Sequence, residues 1–200
     1  MSPGLSPAEL KPVLRARLRQ ALAQIDPVVR NRDSERIHAR IAAAPEFQSA
    51  HCVLGFVALP SEPDLLALLQ SLAAVGRTAL LPRWDAGAGL YRPAVLPADG
   101  ILVPGPFGIP EPPPSASVLP HERLDLILVP GLAFDREGRR LGRGRGFYDR
   151  LLARTLHAQR WGVAFDLQVV DDVPSETHDV NLDRTATPDR WLSPDPGNLP

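Results

Sequence analysis

The chain has 200 residues, with 22 Lys and Arg against 23 Asp and Glu, so its formal net charge of −1 excludes a generic binder of nucleic acids or anionic lipids. Apolar residues make up 44% and charged residues 22%, a balance typical of folded proteins, and the length predicts one domain spanning residues 1–200. The single cysteine, Cys52, excludes an internal disulfide framework and a cysteine zinc site. Because neither a signal peptide nor a membrane-spanning apolar run is recognisable, we expect a cytoplasmic protein.

Two helices are predicted before the first strand. Ser6-Pro7-Ala8-Glu9 has the form of a capping box with proline at the first helical position, and apolar residues recur at helical spacing after it. Pro12 is unfavourable inside a helix, so the first helix either starts near Lys11 or kinks there. Asp26-Pro27 opens a second helical segment that extends to Ala44.

A strand–helix–strand unit follows. Apolar runs of strand length at 51–59 and 78–82 flank a third helix, which Ser61-Glu62-Pro63-Asp64 caps and Gly76 ends. The rest of the chain adds an edge strand or hairpin near 90–96, a continuous apolar strand at 124–130, a helix at 147–156, and short strands at 161–165 and 184–187. The predicted fold class is therefore α/β, a three-layer α/β/α sandwich with a mostly parallel central sheet.

Basic charge is concentrated between the strand that ends at Pro130 and the helix that begins near Phe147. Glycines are interleaved there with the arginines Arg136, Arg139, Arg140, Arg143, Arg145 and Arg150. Glycines let backbone N–H groups approach an anion, and ligands of open α/β sheets bind beyond the carboxyl ends of strands. The segment is neither a Walker A loop nor a Rossmann fingerprint, so it predicts an anion site of another kind. A solvated basic loop and an RGG-like RNA contact are the alternatives, and the flanking strand and helix argue against the second.

Lys11 is the only lysine, beside 21 arginines. Mutational bias explains such a composition, with Lys11 surviving by chance on a solvated helix. Alternatively, this position needs a compact, strongly hydrated ammonium where a planar guanidinium does not serve. The composition leaves both explanations open.

Several motifs occur in a fixed order along the chain. The longest comprises Val129-Pro130-Gly131-Leu132-Ala133-Phe134-Asp135, Gly138, and Arg140 to Arg150. The others are Lys11-x-x-Leu14-Arg15, Leu81-Pro82-Arg83, Gly108-Ile109-Pro110-Glu111-Pro112, and Gly162 to Gln168 followed by Val173-Pro174 and His178-Asp179. Together they resemble the signature of the 5-formyltetrahydrofolate cyclo-ligases, also called methenyltetrahydrofolate synthetases. Two residues depart from that signature: Phe147 stands where the family often has Tyr, and Arg145 stands where Lys or Gly is common.

The resemblance implies an enzyme that uses ATP and Mg²⁺ to convert 5-formyltetrahydrofolate into 5,10-methenyltetrahydrofolate, ADP and phosphate. In that reaction the formyl oxygen attacks the γ-phosphate, and N10 then closes the ring as phosphate leaves. Cationic side chains, backbone amides and the metal supply most of the catalysis, since little covalent chemistry falls to the protein. A monomer with a small-molecule folate substrate, and without a nucleic-acid or membrane partner, is expected.

The resemblance also implies roles for individual residues. The catalytic residues are Lys11 and Arg145, and the nucleotide is bound by Lys11, Arg15, Arg140, Leu141, Gly142, Arg143, Gly144, Arg145, Gly146, Phe147 and Tyr148. The Mg²⁺ ligands are Asp149 and Asp179. The folate is bound by Glu62, which accepts hydrogen bonds from the N–H groups of the pterin, and by Val57, which walls the pocket.

Simpler interpretations stay open for some of these residues. Asp149 is equally consistent with a salt-bridge partner within a run of arginines, and Glu62 with a first-turn carboxylate that the helix dipole favours. Trp84, Tyr91 and Trp161 are candidates for stacking on the pterin or adenine, although aromatic residues more often belong to a core. His178 is a weak candidate for acid–base catalysis.

Two other classes of protein are alternatives to a cyclo-ligase. A sugar-phosphate isomerase or a CoA-transferase-like enzyme on a similar scaffold needs a catalytic carboxylate and no ATP, and Lys11 together with the 140–149 segment argues against it. A non-catalytic relative that binds nucleotide or RNA is weakened by the absence of an appended RNA-binding segment within the 200 residues.

Overall fold

The computed structural model describes residues 6–176 and 179–194, so His178 lies outside the described residues. The helices are α1 (Pro7–Ala23), α2 (Pro27–Ala42), α3 (Pro45–Ser49), α4 (Leu66–Ala74) and α5 (Phe147–Leu152). The strands are β1 (Cys52–Leu54), β2 (Thr78–Asp85), β3 (Leu90–Val95), β4 (Val103–Pro104), β5 (Pro110–Glu111), β6 (Leu126–Val129), β7 (Ala133–Phe134), β8 (Arg140–Leu141), β9 (Gln159–Val163), β10 (Arg184–Ala186) and β11 (Trp191–Leu192). Within the described ranges, no helix combines the length and the apolar character that crossing a membrane requires.

Side-chain caps fix the starts of the N-terminal helices. The backbone N–H of Ser6 donates to Glu9 Oε2 at 2.8 Å, which is the predicted capping box. Helix α1 begins at Pro7 and runs through Pro12, so the predicted alternative of a start near Lys11 is wrong. Asp26 Oδ1 accepts a hydrogen bond from the Val28 N–H at 2.7 Å and begins α2 as predicted.

Seven strands form one sheet in the order β11-β10-β9-β6-β1-β2-β3. The five inner strands are parallel to one another, whereas β3 and β11 pair antiparallel at the two edges. Strand β1 lies between β2 and β6, so the chain builds the sheet outward from β1 in both directions. In sheets of this kind, a crevice for ligands opens where the strand order reverses, beyond the carboxyl ends of the strands. Here that place lies between β1 and β6.

Helices cover both faces of this sheet. Val53 in β1 and Leu126 in β6 share a buried cluster with residues of α1 to α4, including Ile37 and Leu69. The alternate residues Leu54, Ile127 and Val129 pack on the other face with Leu151 and Leu152 of α5. Burial on both faces explains the continuous apolar runs of the inner strands. The predicted three-layer α/β/α sandwich with a mostly parallel sheet is confirmed.

Several boundaries differ from the predicted ones. The strand predicted at 51–59 is only three residues long, because the chain leaves the sheet after Leu54. Strand β2 continues to Asp85, since it forms an antiparallel hairpin in which Asp85 pairs with Leu90. Helix α5 ends at Leu152 rather than at 156, and the two-residue strand β11 was not predicted.

Candidate functional site

A cavity of about 330 Å³ opens at the carboxyl ends of β1 and β6. Phe56 and Val57, which follow β1, form one side of it, and Pro130 and Gly131, which follow β6, form another. The cavity therefore occupies the point at which the strand order reverses. That position, together with the basic segment beside it, makes this cavity the candidate active site.

The glycine-rich loop of residues 142–146 connects β8 to α5 and lies along this cavity. Gly144 has a φ of +101°, a backbone conformation that residues with a Cβ rarely adopt. A Cβ built on Gly144 would also lie 3.5 Å from the guanidinium carbon of Arg15. That distance is an ordinary van der Waals contact, so glycine is required at this position by the turn and not by the approach of α1.

Helix α1 carries three cations spaced one turn apart, Lys11, Arg15 and Arg19, and the last two contact the glycine-rich loop. Arg15 Nε donates to the carbonyl of Gly142 at 3.0 Å, and Arg19 Nη2 donates to the carbonyl of Arg143 at 3.2 Å. Of the three cations, Arg19 lines the cavity, whereas Lys11 and Arg15 lie on the α1 side of the loop. The predicted nucleotide-binding residues therefore occupy both sides of the loop.

Lys11 is buried and forms ion pairs with two carboxylates. Its Nζ lies 2.6 Å from Glu176 Oε2 and 2.8 Å from Asp179 Oδ2, and only 8% of the residue is exposed. Burial by itself lowers the pKa of this ammonium, but the hydrogen bonds that it donates to Asp179 and Glu176, together with their negative charges, outweigh burial and raise the pKa above its ordinary value. Lys11 is therefore a charged group in a built site, not a survivor on a solvated helix face.

Arg143 reaches from the loop into the cavity and binds Glu62. Its Nε and Nη2 lie 3.0 and 2.8 Å from Glu62 Oε1, and Nη2 also donates to Ser61 Oγ at 3.1 Å. Glu62 Oε2 accepts the backbone N–H of Leu59 at 3.0 Å. Glu62 is 5% exposed and precedes α4, whose N-cap is Leu65, so the interpretation as a first-turn carboxylate is wrong.

Arg140 forms a further ion pair of the site. Its Nη2 lies 2.5 Å from Asp149 Oδ1, its Nη1 donates to the carbonyl of Pro130 at 3.3 Å, and its guanidinium lies over the Tyr148 ring. The Nε of Arg140 is buried and has no hydrogen-bond partner among the described residues. Burial raises the pKa of the Tyr148 phenol, which stays neutral. Asp149 therefore forms a salt bridge with an arginine of its own segment, as the alternative interpretation of this residue predicted.

Each carboxylate with a predicted ligand role is paired with a cation that has a predicted phosphate role. The three pairs are Glu62 with Arg143, Asp149 with Arg140, and Asp179 with Lys11. The two predicted metal ligands are therefore held by different cations, and the described ranges hold no group of three or more metal-binding side chains. The three carboxylates with predicted ligand roles are therefore each neutralised by a cation of the same site.

Four aromatic rings form what we call the aromatic wall: Trp84, Tyr91, Phe107 and Phe147. The Trp84 ring centroid lies 5.4, 5.2 and 5.0 Å from those of Tyr91, Phe107 and Phe147. The last three line the cavity, and the guanidinium of Arg145 lies 4.8 Å from the centroid of Phe107. Burial, and then the nearby Glu111 carboxylate, raise the pKa of Tyr91. Trp161, in contrast, is fully buried in the core.

The structure brings most of the predicted site residues to this cavity. Those that line it are Val57, Glu62, Arg140, Gly142, Arg143, Arg145, Gly146, Phe147, Tyr148 and Asp149. Gly144 lies on the α1 side beside Arg15, and Asp179 lies there with Lys11. The side chain of Leu141 instead packs in a small buried cluster with Leu18, Ala133 and Val173.

The cavity lining also includes residues for which no role was predicted, among them Arg19, Phe107 and Glu111. Arg19 continues the spacing of Lys11 and Arg15 by one further turn, which is a signal that the sequence offers. Phe107 and Glu111 belong to the loop and strand that follow β4, where the chain has no periodicity that indicates burial. Glu111 Oε2 accepts the backbone N–H of Trp84 at 3.0 Å and so holds this loop against β2.

Comparison with known proteins agrees with this architecture. Residues 7–188 match the 5-formyltetrahydrofolate cyclo-ligase family. The chain belongs to this family. A 5-formyltetrahydrofolate cyclo-ligase of Mycolicibacterium smegmatis is 38% identical over 200 residues, which cover 92% of this chain and 98% of the relative. A protein of the same name from Escherichia coli K12 is 33% identical, covering 86% of this chain and 97% of its own length.

A solved structure extends the agreement to three dimensions. The NMR structure of Aquifex aeolicus 5,10-methenyltetrahydrofolate synthetase superposes with a TM-score of 0.84 and 30% identity, covering 96% of each chain. The predicted family and the prediction of a cyclo-ligase enzyme are therefore confirmed, and the isomerase-like and non-catalytic alternatives are wrong.

Proposed function

We propose that this cyclo-ligase couples ATP hydrolysis to the closure of 5-formyltetrahydrofolate into 5,10-methenyltetrahydrofolate, with release of ADP and phosphate. The observation that carries the proposal is the position of the glycine-rich loop. Arg15 of α1, a cation suited to bind phosphate, contacts one side of the loop, and a cavity lined by aromatic rings and the Glu62 carboxylate lies on the other side. Family membership supports the same reaction.

Nucleotide phosphates fit the residues around the loop. Arg140 has a buried Nε without a partner among the described residues, and a phosphate oxygen is a suitable acceptor for it. Arg15 and Arg19 donate only to backbone carbonyls through the contacts given above, so they can turn toward a stronger anion at small cost. We assign the nucleotide to Lys11, Arg15 and the segment 140–148.

Folate fits the cavity side of the loop. Glu62 supplies a buried carboxylate for the N–H groups of the pterin, and Val57 supplies an apolar surface beside it. The aromatic wall offers ring faces and edges to a planar ligand and excludes water from the reacting groups. In this arrangement the formyl oxygen attacks the γ-phosphate near Arg145, and N10 then closes the ring as phosphate departs.

Mg²⁺ fits the chemistry of Asp149 and Asp179, since Mg²⁺ takes one or two carboxylates together with phosphate oxygens. When bound, Mg²⁺ would offset the charge of the phosphates and orient them. Each carboxylate has to part from its cation first, Asp149 from Arg140 and Asp179 from Lys11. The role of Lys11 and Arg145 is to hold the negative charge that develops on the transferred phosphoryl group. Location in the cytoplasm and a monomeric state stay predictions.

The absorbance of methenyltetrahydrofolate tests the proposal. Purified protein is mixed with 5-formyltetrahydrofolate, with and without ATP and with and without Mg²⁺. We expect product only when both are present. Product without nucleotide, or no product from folded protein with any divalent metal, contradicts the proposed reaction. Arg136→Gln, which alters an exposed arginine outside the cavity, is the matched control and keeps wild-type turnover.

A further inference from the structure

Arg143 and the pterin compete for the same carboxylate. An ionised carboxylate offers about four lone-pair positions. In Glu62, two donors from Arg143 share Oε1, and the Leu59 N–H occupies a position on Oε2. About one position is left, so Glu62 cannot receive two pterin N–H donors while Arg143 stays in place.

Glu62 requires a partner in every state of the enzyme. It is 5% exposed, and a buried carboxylate without a cation or hydrogen-bond donors is strongly destabilising. Arg143 meets this requirement in the structure described here. A pterin meets it equally well, since its N–H donors replace those of the guanidinium. The loss of either partner is therefore tolerated only when the other is present.

Arg143 itself has an alternative partner. Its side chain is 34% exposed, and the residue lies in the glycine-rich loop between the cations of α1 and the cavity. Phosphate groups carry more charge than one carboxylate and match the planar fork of a guanidinium. Gly142 and Gly144 on either side carry no side chains that could obstruct this turn.

We propose that Arg143 is a positioning residue that couples the two substrates, by leaving Glu62 for the nucleotide phosphates and thereby completing the pterin site. This inference rests on the proposed function, because it needs ATP and 5-formyltetrahydrofolate as the two ligands. Without nucleotide, Arg143 occupies Glu62 and folate binding is weak. With nucleotide, the carboxylate accepts the pterin. By thermodynamic reciprocity, folate tightens nucleotide binding by the same factor.

Calorimetric titration tests the coupling without turnover. The dissociation constant of 5-formyltetrahydrofolate is measured alone and in the presence of saturating Mg²⁺ with the β,γ-imido analogue of ATP. For the wild type we expect the analogue to tighten folate binding at least about tenfold. An affinity ratio near one for the wild type overturns the proposal.

Two variants separate this coupling from direct contact between the two ligands. Arg143→Gln keeps a hydrogen-bond donor but removes the charge. In this variant we expect the dissociation constants of folate measured with and without the analogue to differ by less than about twofold. In Glu62→Gln, folate binds more weakly and the ratio again falls to near one. Circular dichroism establishes which variants are folded. A tenfold ratio that survives in either folded variant overturns the proposal.

Arg136→Gln is the control for a lost arginine in the same basic segment, and it should keep the wild-type ratio. The absorbance assay is run on the same wild-type preparation. If product forms but the ratio is flat, the coupling is wrong and the proposed function stands. If neither product nor folate binding is detected, the proposed function fails and the coupling fails with it.

Discussion

The two ends of the central sheet carry the same kind of ion pair for different purposes. At the amino ends of β9 and β10, Arg160 pairs with Asp183 at 2.9 Å and Arg184 pairs with Glu46 at 2.8 Å. Two tryptophan rings also flank the Arg184 guanidinium. At the carboxyl ends, Arg143 pairs with Glu62 and Arg140 pairs with Asp149, both at the cavity.

Burial and surroundings separate the two ends. The side chains of Asp183 and Glu46 are 41% and 44% exposed, so these pairs are screened by solvent and add little to stability. The cavity pairs have a nearly buried member each, Glu62 in one and Arg140 in the other. They also border the glycine-rich loop, to which we assign the nucleotide phosphates. The ion pairs of the amino end also line an open cavity. Neither the number of ion pairs nor a position beside a cavity therefore indicates function, whereas the burial of one member of each pair does separate the two ends.

The largest expected effect comes from a matched pair of arginine removals. Arg140→Leu leaves Asp149 without its cation and removes a proposed phosphate contact, so we expect at least about a 100-fold loss in kcat/KM for ATP and a loss of about 2 kcal/mol in unfolding free energy. Arg160→Leu at the other end should cost about 1 kcal/mol or less and leave kcat/KM unchanged. Steady-state kinetics and urea denaturation measure both. Equal losses in the two variants would remove the distinction between the ends.

A smaller effect is expected for Lys11→Arg. The charge is preserved, but a guanidinium is wider and flatter than an ammonium and does not fit the buried position between Glu176 and Asp179. We expect about a tenfold loss in kcat/KM for ATP, equivalent to about 1.4 kcal/mol. Arg36→Lys, at an exposed ion pair with Asp189, is the control and keeps wild-type kinetics. Wild-type kinetics in Lys11→Arg would show that catalysis does not require a lysine at this position.

Asp149→Asn tests whether the two ends of the sheet differ in their effect on the Mg²⁺ requirement. If Asp149 leaves Arg140 to bind Mg²⁺, the variant needs a several-fold higher Mg²⁺ concentration for half-maximal activity. Asp183→Asn, which breaks a pair at the amino end, should leave the Mg²⁺ titration unchanged. An unchanged titration in Asp149→Asn as well assigns Asp149 to a structural ion pair.

The smallest effect is expected at the amino end, in the dependence of stability on pH. A hydrogen bond within its own residue, and then the one from Arg184, lower the pKa of Glu46 below 4.5. A carboxyl with a lowered pKa in the folded protein stabilises it above the unfolded pKa, and this contribution disappears as pH falls through the folded pKa. Glu46→Gln should therefore cost about 0.3 kcal/mol at neutral pH and nothing in strong acid. Thermal melts across the acid range measure the difference, and a constant difference at every pH contradicts this cause.

Local patterns predicted the parts of the molecule that local physics determines. The apolar run at 124–130 indicated a strand buried on both faces, which is confirmed. The alternation of glycine and arginine from 138 to 146 indicated a loop beyond it, and the binding of an anion there stays a prediction. Those features depend on neighbouring residues and on the direction of the chain. The pairing of Asp149 with an arginine of its own segment was among the predictions, but the ion pairs between distant segments could not be predicted in the same way. Lys11 and Glu176 are 165 residues apart, and only the folded sheet brings them together.

The aromatic wall shows the same limit. Trp84 and Tyr91 belong to one hairpin, so their contact follows from the register of β2 and β3. Phe107 and Phe147 come from a loop and a helix start, and nothing in their local sequence indicates that they meet. Trp161 has the same residue type as Trp84 but lies in the core, because its strand is an inner one.

Lys11 is the only lysine beside 21 arginines, so its Nζ is the single side-chain amine of the protein, and this amine is buried. Acylating reagents react only with neutral amines, which are the nucleophiles. The two carboxylates raise the pKa of Lys11 and so keep its buried amine protonated. Its rate of acylation therefore reports how often the ammonium parts from Glu176 and Asp179. A covalent label read by mass spectrometry at one peptide would follow the opening of the α1 side of the site directly, with no second lysine to confuse the signal.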